Sequence, residues 1–256
     1  MVFALYDKII LKKFNLIEAF NSRSDVISYL DKLDWGSRVA WTSNHVQNLM
    51  VMMQYSRDYQ GLEKYDQVLS YFYDYLDQRQ NNSTGLFGDA IETKVDLSMA
   101  VQAGYHFWSP YFYDGRRILL QEKIVDNLLL TQNNLGGFGY SLHSSACEDI
   151  DTLDPLFRLR KIIGKSYRDA DIDCAFNKAF PAILNNFNGD GGWVFRRHEH
   201  LEIYHRQMYS KANESNMFYT WFRTLGLAYC LSGMNSPPSK FIYSWNFKRV
   251  PGHQFL

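Results

Sequence analysis

A net charge of either sign is missing from this chain. Lys plus Arg and Asp plus Glu number 27 each, so no summed field draws in a nucleic-acid backbone or an anionic membrane. Cysteine is scarce: Cys147, Cys174 and Cys230 are odd in number, widely spaced and without a CxxC pair. That pattern excludes a disulfide framework and a zinc ribbon and fits a reducing compartment, so a cytoplasmic protein is expected. Long apolar runs are also lacking. The opening stretch MVFALYDKIILKKFNLIEAF is broken by Asp7, Lys8, Lys12 and Lys13. It therefore reads as an amphipathic helix, neither a signal peptide nor a membrane span of about 20 residues. No alternating strand pattern longer than a few residues is present, and neither GLFGDA nor LGGFGY has the preceding strand and spacing of a phosphate loop.

What the chain does contain is one phrase written three times. RQNNSTGLFGD at 79–89, TQNNLGGFGYSLH at 131–143 and NNFNGDGGWVF at 185–195 each run from Gln or Asn through a short polar stretch to a glycine turn with an aromatic inside. Gly85, Gly136 and Gly191 recur at intervals of 51 and 55 residues, the length of a helical hairpin with its connections. The phrases, near 80–89, 132–140 and 187–195, are read as joints. Glycine permits a left-handed turn or close approach, and Phe87, Phe138 or Trp193 wedges between neighbouring hairpins.

The segment before a joint, such as 116–132, is apolar on one side, with Ile118, Leu119, Ile124, Val125, Leu128 and Leu129 near i, i+3, i+4 spacing. Segments 41–58, 90–108, 146–163 and 214–232 are apolar or aromatic around most of their girth, as helices buried on several sides are. The expected fold is all-α: consecutive antiparallel helical hairpins over 41–232 in a single domain spanning 1–256, with helices in 1–35 and a tail at 233–256.

Gln80 with Gly85 and Phe87, and Gln132 with Gly137 and Phe138, resemble the Gln-x(n)-Gly-x-Trp repeat of terpenoid cyclases. GGFGYSLHSSACEDIDTL is similar to the glycine turn, histidine and helix start of protein prenyltransferase β-subunits. The resemblance implies an α/α toroid, helices ringing a central cavity inside a second ring of helices. With three joints the ring is expected to be incomplete and closed by the N-terminal helices, a second copy or a partner. More loosely, SNMFYTWFRTLGLAY and the C-terminal residues resemble bacterial toroid proteins associated with glycan biosynthesis. The catalytic motifs differ: Asp149-Ile150-Asp151-Thr152 lacks the last acid of Asp-x-Asp-Asp, and Asp-Asp-x-x-Asp is absent.

Candidate chemistry centres on SSACEDIDTLDPLFRLRKII. Cys147, Asp151, Asp154 and Arg158 fall on one helical stripe, with Glu148 and Asp149 at the helix start. Asp149 and Asp151 are the acid/base candidates, since carboxylates crowded in a cavity raise one another's pKa. The competing reading has these acids cap the helix and pair with Arg158, Arg160 or Arg223. Pro155 either kinks the helix or opens a new segment capped by Asp154. Cys147, Asp149 and His143 are zinc-type ligands, but their order reverses the prenyltransferase Asp-x-Cys, so neither a metal nor another cofactor is expected.

Trp41, Asn44 and His45, with Asn216, Tyr219 and Arg223, are the candidate substrate contacts, since convergent polar groups on an aromatic wall make a small-molecule site. His106 reads as a core histidine. RRHEHLEIYHRQ at 196–207, with His198, His200 and His205, lacks metal-ligand spacing and reads as an exposed loop or lid. Two functions compete: an enzyme using acid/base chemistry on an isoprenoid, lipid-linked or glycan substrate, and a non-catalytic module binding a glycan or a protein.

Overall fold

The computed structural model describes residues 12–200, 209–239 and 249–252. Eight α-helices are present among them: α1 Arg23–Leu30, α2 Val39–Gln60, α3 Lys64–Arg79, α4 Lys94–Asp114, α5 Gln121–Leu130, α6 Ala146–Ile163, α7 Asp169–Leu184 and α8 Met217–Gly233. Strand pairing among the described residues is confined to two isolated bridges, Gln132 with Phe138 and Phe187 with Trp193. The expected all-α class holds, and α2, α4, α6 and α8 coincide within a few residues with the four segments marked as buried on several sides. No described helix is long and apolar enough to cross a membrane.

The amphipathic helix expected over the first 20 residues is not what the described part forms. Residues 1–11 lie outside the described residues, and Asn15–Ile17 makes only a 3-10 turn. The first α-helix waits for Ser22, whose side chain accepts from the Asp25 N–H while the Asp25 carboxylate accepts from the Ser22 N–H. This reciprocal cap sets the start at Arg23.

Described residues fall into two compact units. The first takes 12–91, Ala103–Leu120 and 249–252; the second takes Glu92–Gln102, 121–200 and 209–239. In the first, α2 turns back on α3 through Gly61, at φ 67°. Its core holds Trp35 stacked on Phe107 at 5.5 Å and Phe87 tilted on Phe107 at 4.6 Å. His106 is the core histidine expected, with Nδ1 3.0 Å from Ser43 Oγ; burial pushes its pKa down to about 4. In the second unit α8 packs on α6 and α7, and α5 packs on α6. α5 buries Ile124, Val125 and Leu128 completely, contributing about 1.5 to 3 kcal/mol each. α6 buries 13 of its 18 residues.

The three joints share one hydrogen-bond plan. Asn133 N–H donates to the Gly137 carbonyl and Gly136 N–H to the Asn133 carbonyl; Asn188 with Gly192 and Gly191 repeats this, as does Asn81 with Leu86 and Gly85. Gly85, Gly136 and Gly191 have φ of 74°, 94° and 94°, the left-handed region where a Cβ is strained. The glutamines are staples. Gln80 Nε2 donates to the Gly85 and Leu119 carbonyls, and Gln132 Nε2 to those of Gly136 and Ala175. Each ties its own turn to a neighbouring segment. Phe187 takes that place in the third joint and meets Trp193 edge-on at 4.8 Å.

Close approach, not φ, explains Gly137. A Cβ there would collide with the Ser144 side chain and lie 3.2 Å from Asp149 Oδ1. Gly137→Val is expected to lower stability by about 1 to 3 kcal/mol, measured by chemical denaturation; an unchanged midpoint would refute the joint assignment.

Candidate functional site

α6 begins at Ser145, whose hydroxyl accepts from the Glu148 N–H while Glu148 accepts from the Ser145 N–H at 2.9 Å. This capping box buries Glu148, which also receives Ser98 Oγ at 3.1 Å, the Tyr140 N–H at 3.3 Å and Arg196 Nη2 at 2.8 Å. The helix continues through Pro155 without a break. Asp154 therefore does not cap a second segment. It pairs one turn ahead with Arg158 Nε at 2.6 Å, and Arg158 donates to Tyr229 Oη at 3.1 Å.

Asp149 is held inside the protein by three donors. Oδ1 accepts the Phe138 N–H at 2.8 Å, Oδ2 accepts Ser144 Oγ at 2.9 Å, and the Arg223 guanidinium closes an ion pair on Oδ2. Arg223 is 1% exposed and also donates to the Ser144 carbonyl at 2.8 Å and the Phe195 carbonyl at 2.7 Å. One guanidinium thus ties α8 to the strands of chain that leave the second and third joints. Burial pushes the Asp149 carboxyl up and the Arg223 guanidinium down, each opposed by the other's charge.

The repeat explains the position of Asp149. Counting from the helix caps Ser145 and Asn216, Asp149 and Thr220 are equivalent. Thr220 Oγ1 accepts the Trp193 N–H at 3.1 Å, as Asp149 accepts the Phe138 N–H. Both fasten the joint aromatic to the helix that follows. A neutral hydroxyl does the same work in the third joint, so the negative charge of Asp149 answers to Arg223.

Asp151 is different. It is 3% exposed, and no described residue donates a hydrogen bond or an ion pair to it. Burial, then the charges of Asp154 and Glu148, push its pKa well up. The folded chain therefore retains a proton that the unfolded chain, with an ordinary pKa of about 3.9, has released. Stability is greatest below that value and falls as pH rises from it through the raised folded-state pKa. Asp151→Asn is expected to be at least as stable as the parent at pH 7 and to lose any advantage below about pH 3.9. Melting curves across pH check this; destabilisation at pH 7 would show that the carboxylate has a stabilising partner.

Of the candidate contacts, Asn216 is the α8 N-cap, its Oδ1 accepting the Tyr219 N–H at 3.1 Å, and Tyr219 and Arg223 are buried. These three shape the interior. Trp41 and His45 are exposed one turn apart on α2, and Asn44 beside them bridges to Asn48 at 3.0 Å and lies 3.5 Å from His106 Nε2. They belong to the first unit, whereas Asp149, Asp151, Asn216, Tyr219 and Arg223 belong to the second.

The zinc-type residues do not assemble a centre. Burial and the charges of Asp151 and Glu148 push the Cys147 thiol well up, away from the thiolate that binds metal. His143 lies against the His198 ring at 5.6 Å, and no group of three metal-ligating side chains occurs among the described residues. His198 and His200 follow the third joint in a loop; His205 and most of the expected lid lie outside the described residues.

The sequence reading missed a groove beside the second joint. It has a volume of about 230 Å³ and is lined by Lys94 and Leu97 of α4, by 130–134 and by 139–142. The signal was present as leucines inside a polar phrase: Leu130 and Leu142 are 70% and 56% exposed, and Tyr140 is 41% exposed. No family model, no curated protein and no solved structure matches the chain.

Proposed function

We propose that this protein is a non-catalytic binding module built on a toroid-like helical repeat, taking a small-molecule, lipid-linked or glycan ligand. The observation behind this reading is how Asp149 is engaged. It accepts from a backbone N–H, a hydroxyl and a buried guanidinium, which occupy three of its roughly four lone-pair sites, and at 1% exposed it presents no accessible face to a substrate. The accessible aromatic and polar groups, Trp41 and His45 on α2 and the groove beside the second joint, suit contact with a ligand and lack an adjacent acid/base pair. Native mass spectrometry of the purified chain tests the proposal. A ligand carried unaltered, and still carried by Asp149→Asn, supports it; a ligand released as a chemically changed product contradicts it.

One observation favours the enzyme reading. Asp151, buried with no donor among the described residues and with its pKa pushed well up by burial and the neighbouring acids, has the character of a general acid. Under that reading Asp151→Asn abolishes turnover at undiminished stability, while Asp149→Asn reduces turnover only as far as it unfolds the protein.

A further inference from the structure

The groove beside the second joint carries an inference about the ligand class, and it rests on the binding-module reading. Its walls are preformed. Gly139 N–H donates to the Thr131 carbonyl at 2.9 Å, Asn133 Nδ2 to the Ser141 carbonyl at 3.1 Å, and Thr131 Oγ1 to the Leu128 carbonyl at 2.7 Å. Tyr140 is fixed through its N–H on Glu148 and by the Arg196 guanidinium 5.3 Å from its ring centroid. A ligand therefore meets a site that does not have to be ordered on binding.

Two kinds of surface line this space. Leu97, Leu130, Leu142 and Tyr140 supply apolar surface, while the side chains of Lys94, Asn134 and Ser141 hold donors and acceptors that no described residue uses. Lys94 is the one cation among the lining residues. The volume corresponds to about eight water molecules, less than the roughly 300 to 1,000 Å³ of drug-sized sites.

We infer that this groove is a saccharide subsite that takes a single neutral pyranose ring. The C–H face of such a ring lies against the Tyr140 ring and the leucines, where its polarised hydrogens meet the negative aromatic face. Its hydroxyls take the unused groups of Asn134, Ser141 and Lys94. A pyranose ring, with an apolar C–H face and hydroxyls around its edge, satisfies both kinds of surface.

The test is amide-resolved NMR of the full chain titrated separately with glucose, galactose, mannose, N-acetylglucosamine and farnesyl phosphate. Each is taken to about 10 mM, enough to detect a Kd of about 1 mM. At least one sugar is expected to shift the amides of Lys94 and 139–142. Leu142→Trp, which fills the groove, is expected to weaken that sugar at least about tenfold without lowering Tm, and Tyr140→Ala is expected to weaken it as much. No shift from any sugar, shifts indifferent to both variants, or shifts from farnesyl phosphate alone would overturn the subsite. The farnesyl result would still leave a binding module. A sugar that binds there and is converted would instead sink the non-catalytic reading and keep the subsite.

Discussion

Arg223→Met is expected to be the most damaging single change at the start of α6, costing about 3 to 5 kcal/mol. Methionine fills much of the volume but leaves Asp149 buried opposite no cation and strands the carbonyls of Ser144 and Phe195. Against a total stability of about 5 to 15 kcal/mol, a loss of that size is read directly as a fall in the denaturation midpoint. A midpoint shifted by less than about 1 kcal/mol would mean that Arg223 is solvated, as surface ion pairs are.

Gly139→Ala carries the second large effect. Gly139 has φ 109°, and an added Cβ would overlap the Glu148 carboxylate. Glu148 cannot retreat, because Ser98, Ser145, Tyr140 and Arg196 hold it. Backbone strain of about 1 to 3 kcal/mol adds to the disruption of a buried charge-assisted contact worth about 1.5 to 3 kcal/mol. The expected loss is about 3 kcal/mol or more, seen as a lowered Tm with a weakened near-ultraviolet signal from Tyr140 and its neighbours. Replacing Gly189 by alanine gives the contrast, since nothing lies within 4 Å of a Cβ there; that change is expected to be near neutral. Equal losses at both positions would remove the steric argument.

Much of the fold is legible because its signals are local. Apolar periodicity marks the helices, and Asn followed by glycine and an aromatic marks each joint. Ser145 with Glu148 announces where α6 begins. Pro155 misleads because its local cost is overridden: α6 is buried along most of its length, and packing holds the helix together through the proline. The site is less legible because its decisive contact is not local. Asp149 and Arg223 are 74 residues apart, and the sequence leaves Arg223 equally readable as a ligand contact or an ion partner. Only the repeat could have decided it, by setting the fifth residue of α6, counted from its cap, beside Thr220 in α8. The groove escaped for a related reason. Leu130 and Leu142 read as ordinary apolar positions until the turn between them brings both to one exposed edge.

Under the binding-module proposal, Asp149 and Arg223 hold the joints together and do not act on a ligand. A double-mutant cycle of Asp149→Asn, Arg223→Met and the pair measures this most directly. Two destabilised single variants are expected, and a double variant that regains much of the loss, because two neutral groups replace a lone buried charge, with a coupling energy of about 2 kcal/mol or more. Additive losses, with coupling near zero and the native ligand no longer retained by Asp149→Asn, would contradict it.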